Sequence, residues 1–78
     1  MKTKTEINKQ IGAALRAVRL ERGLTLRTLS QKLGIVEPAL CAKEKGRTAY
    51  HVYELGLIMK ELVLSDEEMG EILWHKSE

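Results

Sequence analysis

The sequence predicts an all-α chain of five helices, and three observations point there. Apolar residues recur at intervals of three and four along most of the 78 residues. No stretch alternates apolar and polar side chains with the period of two that a half-buried strand shows, and Phe is absent. Glycines at positions 23, 34 and 46 fall just past periodic segments, where helices close on a left-handed residue.

The first helix is expected from about Glu6 to Arg22, with Ile7, Ile11, Ala14, Leu15 and Val18 on one stripe. Thr3 and Glu6 have the spacing of a capping box, and Gly23 follows the last turn. The second helix is short. Thr25 is its N-cap, Leu26, Leu29 and Leu33 its apolar face, and Gly34 its end. The third starts near Glu37-Pro38, because proline has no N–H to lose in a first turn and a carboxylate suits the positive helix end. Ala39 and Leu40 can face inward there, and Gly46 stops it. A fourth helix is expected from about Ala49 to Leu62, its stripe formed by Val52, Leu55, Ile58, Met59 and Leu62. Ser65 and Glu68 make a second capping box, opening a last helix over about residues 66–76 through Met69, Ile72, Leu73 and Trp74. No linker, repeat or low-complexity segment divides residues 1–78, which read as a single domain.

Composition excludes several classes. One cysteine, Cys41, cannot form an internal disulfide, and Cys41, His51 and His75 are too few and too scattered for a zinc site. No apolar run approaches the roughly 18 residues of a membrane span, and Met1-Lys2-Thr3-Lys4 leads into no signal-peptide core. There is no nucleophile–base constellation and no Gly-rich phosphate loop, so no catalysis, metal, cofactor or small-molecule substrate is expected. The cluster Asp66, Glu67, Glu68 and Glu71 is explained by the dipole of the helix it opens. A cytoplasmic protein is expected.

Net charge is +2, yet its distribution is uneven. Residues 1–48 hold 11 basic against 4 acidic side chains (+7), and residues 49–78 hold 2 against 7 (−5). One half suited to a polyanion is joined to another that would face away from it.

The most informative stretch runs from Leu24 to Leu40. A capped helix, a Gly turn and a second short helix have the spacing of a helix–turn–helix, with Leu29, Leu33, Ile35 and Leu40 as the small core that fixes its angle. Such a pair can lay its second helix in a DNA major groove.

Ile11-Gly12, Leu15-Arg16, Arg19, Gly23-Leu24-Thr25, Leu29-Ser30, Lys32-Leu33-Gly34, Leu40, Glu44, Gly46 and Leu55 through Ser65 follow one known pattern. Over roughly residues 7–70 the sequence resembles the Cro and phage-repressor (XRE) family of helix–turn–helix proteins. The resemblance implies a five-helix lambda-repressor-like domain, usually a dimeric DNA-binding transcriptional regulator, nucleoid-associated when bound. Carried over by position, the base-reading residues are Glu37, Pro38, Ala39 and Ala42. Glu37 can only accept, most simply from cytosine N4, and Ala39 can touch a thymine methyl. A helix so poor in donors leans on phosphate contacts and DNA shape. Val36 stands where the family usually has a Ser/Thr cap, a loss of roughly 1 kcal/mol and of one phosphate contact.

The expected phosphate contacts are Thr25, Arg27 and Thr28 at the start of the second helix, and Lys43, Lys45 and Arg47 at the end of the third. Lys43 takes a position the family commonly fills with an apolar residue, so it is expected to snorkel over the edge of the core. The family pairs the positions of Arg19 and Glu44 in a partly buried salt bridge. Tyr50, His51 and Tyr53 are expected to pack at the start of the fourth helix. Leu64, Met69, Ile72, Leu73 and Trp74 give the last helix more apolar surface than docking one short helix needs, which suggests a homodimer contact.

Two functions remain open. One is a small dimeric repressor of a palindromic operator in double-stranded DNA. The other is a protein-interaction module on the same fold, such as an antitoxin or antirepressor. The donor-poor third helix and the acidic, apolar C-terminal half favour the second; the basic N-terminal half favours the first.

Overall fold

In the computed structural model, which describes residues 2–74, the chain forms α1 (Lys4–Glu21), α2 (Leu26–Leu33), α3 (Glu37–Glu44), α4 (Val52–Glu61) and α5 (Asp66–Trp74). No strand occurs among the described residues, and none of their helices is long and apolar enough to cross a membrane. Residues 75–76 of the expected last helix, His75 among them, lie outside the described residues.

Local chemistry sets the helix starts. Thr3 Oγ1 accepts from the Glu6 N–H at 3.1 Å, and Glu6 Oε1 accepts from the Thr3 N–H at 2.7 Å, closing the expected capping box. Ser65 and Glu68 repeat it at 3.0 and 2.9 Å. In both boxes the accepted N–H bond holds the glutamate below the ordinary carboxylate range. Thr25 caps α2 by accepting from the Thr28 N–H at 3.0 Å, while Val36 gives α3 no side-chain cap. The fourth helix begins at Val52 rather than near Ala49: residues 49–51 are not helical, His51 is extended, and the His51 N–H instead meets Glu54 Oε1 at 2.8 Å.

Four of the helices end in one way. The residue after the last turn has positive φ, and the next N–H reaches back to close the turn: Leu24 to the Arg19 carbonyl, Ile35 to Ser30, Arg47 to Ala42, Leu64 to Met59. Glycine supplies the left-handed residue after α1, α2 and α3; after α4 it is Val63, at φ 55°.

The core is assembled from every helix: Leu15 of α1, Leu29 and Leu33 of α2, Leu40 of α3, Ile58 of α4 with Leu62 and Leu64 just past its end, and Met69 of α5. α3 lies against both α1 and α2, so the helix–turn–helix pair is braced from behind by the first helix. The brace is tight at two glycines. A Cβ on Gly12 would overlap the Glu44 carbonyl and stand 2.5 Å from that of Lys43, and a Cβ on Gly46 would be 2.6 Å from Lys9 Cα.

Two expectations need correction here. Val52 is 86 % exposed and does not belong to the α4 stripe. Leu64 and Met69, expected in a dimer contact, are buried in the chain's own core, because α5 docks on α1 and needs both for that purpose.

Candidate nucleic-acid interface

The face built around α3 begins with its backbone. Gly34 turns the chain sharply, so α3 leaves α2 after a link of three residues, Gly34, Ile35 and Val36. Ile35 packs on the core and Leu40 is fully buried, which fixes the inner side of α3 and turns Glu37 and Pro38 to solvent. Ala39 and Ala42 are half-buried. Among the described residues the Glu37 side chain forms no ion pair or hydrogen bond, so its carboxylate is a free acceptor at the start of the helix. The four residues expected to read bases are therefore all on α3, and the two at its N-terminal end are open.

Two buried ion pairs hold the other end of α3. Arg19 Nε donates to Glu44 Oε2 at 2.8 Å and Arg19 Nη2 to Glu44 Oε1 at 3.1 Å, a bidentate pair, while Nη1 donates to the Leu24 carbonyl at 2.8 Å. The next residue back, Lys43, sends its ammonium to Glu54 Oε1 at 3.3 Å and to the Ala49 carbonyl at 3.1 Å. The Lys43 side chain is 10 % exposed and that of Glu54 3 %. Glu44 thus ties α3 to α1, and Lys43 ties it to α4. The half-buried Tyr50 lies between these carboxylates: burial first, then Glu44 and Glu54, push its phenol well above the usual tyrosine value. His51 and Tyr53 are exposed and stack on one another at 5.5 Å.

Lys43 is accordingly removed from the expected phosphate set. Its position is an inward one, and the ammonium meets a carboxylate and a carbonyl inside instead of snorkelling outward. The partner, Glu54, was not expected from the sequence, although a signal existed: Glu54, Ile58 and Leu62 are spaced by four, and all three are buried.

All but one of the remaining phosphate candidates stand open. Arg27, Lys45 and Arg47 are exposed, as is Thr25; Thr28 is half-buried and accepts a hydrogen bond from the Thr25 hydroxyl at 2.9 Å. The close approach of Gly46 to Lys9 adds one residue the sequence did not suggest, setting Lys9 beside Lys45 and Arg47. Of the 11 basic residues in positions 1–48, Arg19, Arg22, Lys32 and Lys43 meet a carboxylate within 4 Å. The other seven, Lys2, Lys4, Lys9, Arg16, Arg27, Lys45 and Arg47, form no ion pair with a described residue. Arg22 is further engaged at the back, where its Nε donates to the Leu62 carbonyl at 2.7 Å. Among the described residues no group of three His, Cys, Asp or Glu side chains could hold a metal ion.

This arrangement has a counterpart among solved structures. The clp gene regulator ClgR from C. glutamicum shares the fold with a TM-score of 0.78 and 26 % identity, over 88 % of this chain and 88 % of that one. The five-helix, all-α helix–turn–helix fold is thus common to both. No protein-family model matches the sequence, and no curated protein does.

Proposed function

We propose that the chain is a sequence-specific DNA-binding transcriptional regulator of the Cro and phage-repressor (XRE) type, acting as a small dimeric repressor on a palindromic operator. The observation that carries this reading is the helix–turn–helix itself, set in a fold shared almost end to end with a gene regulator. The charge pattern agrees with it. The start of α2 offers Thr25, Arg27 and backbone N–H groups, and the far end of α3 offers Lys45, Arg47 and Lys9, so cations stand at both ends of the helix–turn–helix unit. Between them Glu37 would accept from a cytosine N4, and Ala39 would meet a thymine methyl.

Enrichment of bound duplexes from a random-sequence pool, followed by a salt titration on the enriched site, tests the proposal. Neutralising about four phosphates per subunit makes affinity fall by roughly one decade for each twofold rise in salt. A flat salt response, or no binding at about 50 mM salt, would rule out DNA as the partner. Replacing Arg27, Lys45 and Arg47 by Ala should weaken binding to all sequences alike. Glu37→Gln should instead change which base is preferred.

A second reading is favoured by one observation, the lack of donors on the open side of α3. A protein-interaction module such as an antitoxin or antirepressor needs no base-reading groups there. That reading predicts no enrichment of any DNA sequence in the same experiment.

A further inference from the structure

We infer that the cleft between α2 and α3 is a seat for 5-methylcytosine in the major groove, an inference that rests on the DNA-binding reading above. The cleft is open, has a volume of about 310 Å³, and is lined by Leu26, Glu37, Pro38 and Cys41. Three of its walls are apolar: the branched alkyl group of Leu26 at the first turn of α2, the Pro38 ring and the half-buried Cys41 thiol. The fourth is the Glu37 carboxylate, one helical turn before Cys41 and free of any described partner.

A carboxylate among apolar walls is a selective recogniser because base edges differ in how donors and methyl groups are placed. An ionised carboxylate only accepts, so guanine, which presents N7 and O6 acceptors, is repelled. Thymine carries the 5-methyl group the walls would cover, but beside an O4 acceptor that faces the carboxylate unfavourably. Adenine offers the N6 donor next to an N7 acceptor and has no methyl group. Cytosine offers the N4 donor, and a methyl on its neighbouring C5 adds an apolar knob at the place the walls await. Among these five bases 5-methylcytosine alone presents the N–H donor and a ring methyl group side by side.

Two duplex libraries of random sequence, one synthesised with 5-methylcytosine throughout in place of cytosine, provide the test. After enrichment, the best duplex is prepared with cytosine, 5-methylcytosine or thymine at each cytosine position in turn, and binding is measured for each. Covering one methyl group should tighten binding about fourfold per half-site at one position, with thymine there weaker than 5-methylcytosine. Cys41→Ser, nearly isosteric, and Leu26→Ser should shrink the preference while salt dependence stays unchanged. Glu37→Ala should let thymine bind as well as 5-methylcytosine. Equal binding with and without the methyl group at every position, or thymine equal to 5-methylcytosine in the parent protein, overturns the inference and leaves the DNA-binding reading standing. Failure of both libraries to enrich at low salt overturns the two together.

Discussion

Lys43 and Glu44 are neighbours in sequence, yet their side chains leave α3 in different directions and each finds an opposite charge indoors. Glu44 receives a guanidinium in bidentate geometry, so its desolvation is well compensated. Lys43 and Glu54 meet at 3.3 Å, and each has a second partner, the Ala49 carbonyl and the His51 N–H. Removing one member strands the other in the interior. Glu54→Ala should therefore destabilise the fold by about 3–5 kcal/mol in urea denaturation, whereas Lys43→Met with Glu54→Gln should recover at least half of that loss. If the double variant is no better than the single one, the pair is not what stabilises this corner. Val63 invites the opposite kind of change. It is 78 % exposed and held at φ 55°, where a β-branched side chain is crowded, and glycine occupies the matching place after the three preceding helices. Val63→Gly should raise stability by about 1 kcal/mol, read as a higher urea midpoint at constant slope.

At the scale of elements the molecule contrasts two helical glycines. Gly12 lies where α1 crosses the end of α3, and an added methyl would run into the Glu44 and Lys43 backbone carbonyls, which cannot rotate aside. Gly56 on α4 is exposed, and a methyl group added there would meet nothing within 4 Å. Gly12→Ala should cost about 2–3 kcal/mol despite the better helix propensity of alanine, because overpacking against backbone outweighs it. Gly56→Ala should gain about 0.5–1 kcal/mol. Thermal denaturation of the two single variants separates the signs. The helices themselves were legible in the sequence because their signals are local: Thr3 with Glu6, Thr25, Ser65 with Glu68, and glycine after the last turn. The start of α4 was not, since Ala49, Tyr50 and His51 carry no breaker, and an inward glutamate, not an apolar residue, sets its first turn. Sorting only apolar residues onto faces put Val52 inside and overlooked Glu54. The fate of Lys43 was likewise invisible, because whether a lysine on an inward position snorkels or pairs depends on a partner 11 residues away on another helix. At the candidate interface, the choice of Glu37, Pro38, Ala39 and Ala42 came from the resemblance to the Cro and phage-repressor family and not from any local signal of their own, while the approach of Lys9 depends on the packing of α1 and has no local signal either.

Across the whole molecule, the packing narrows what can hold two copies together. The last helix has five large apolar residues at and around it, which is why a dimer contact was expected. Leu64 and Met69 are enclosed by the chain itself, and Ile72 and Leu73 are half-buried against the same core. Trp74 alone stays open, at 80 % exposure. An isologous contact through the end of α5 would therefore be small and dominated by one aromatic anchor, the kind of residue that carries a large share of binding energy when a partner covers it. A two-fold axis there would have to set the two α3 helices about 34 Å apart to meet successive major grooves of one duplex. Substitutions on α5 should then separate into two classes. Trp74→Ala should leave the denaturation midpoint of the monomer nearly unchanged while weakening dimerisation about 30-fold or more in sedimentation equilibrium. Met69→Ala and Leu64→Ala should do the reverse, lowering stability by about 2–5 kcal/mol through lost core packing with no selective effect on association. A monomeric parent protein, or a Trp74→Ala variant that stays dimeric at the same concentrations, would place the contact elsewhere and leave the open tryptophan without this role.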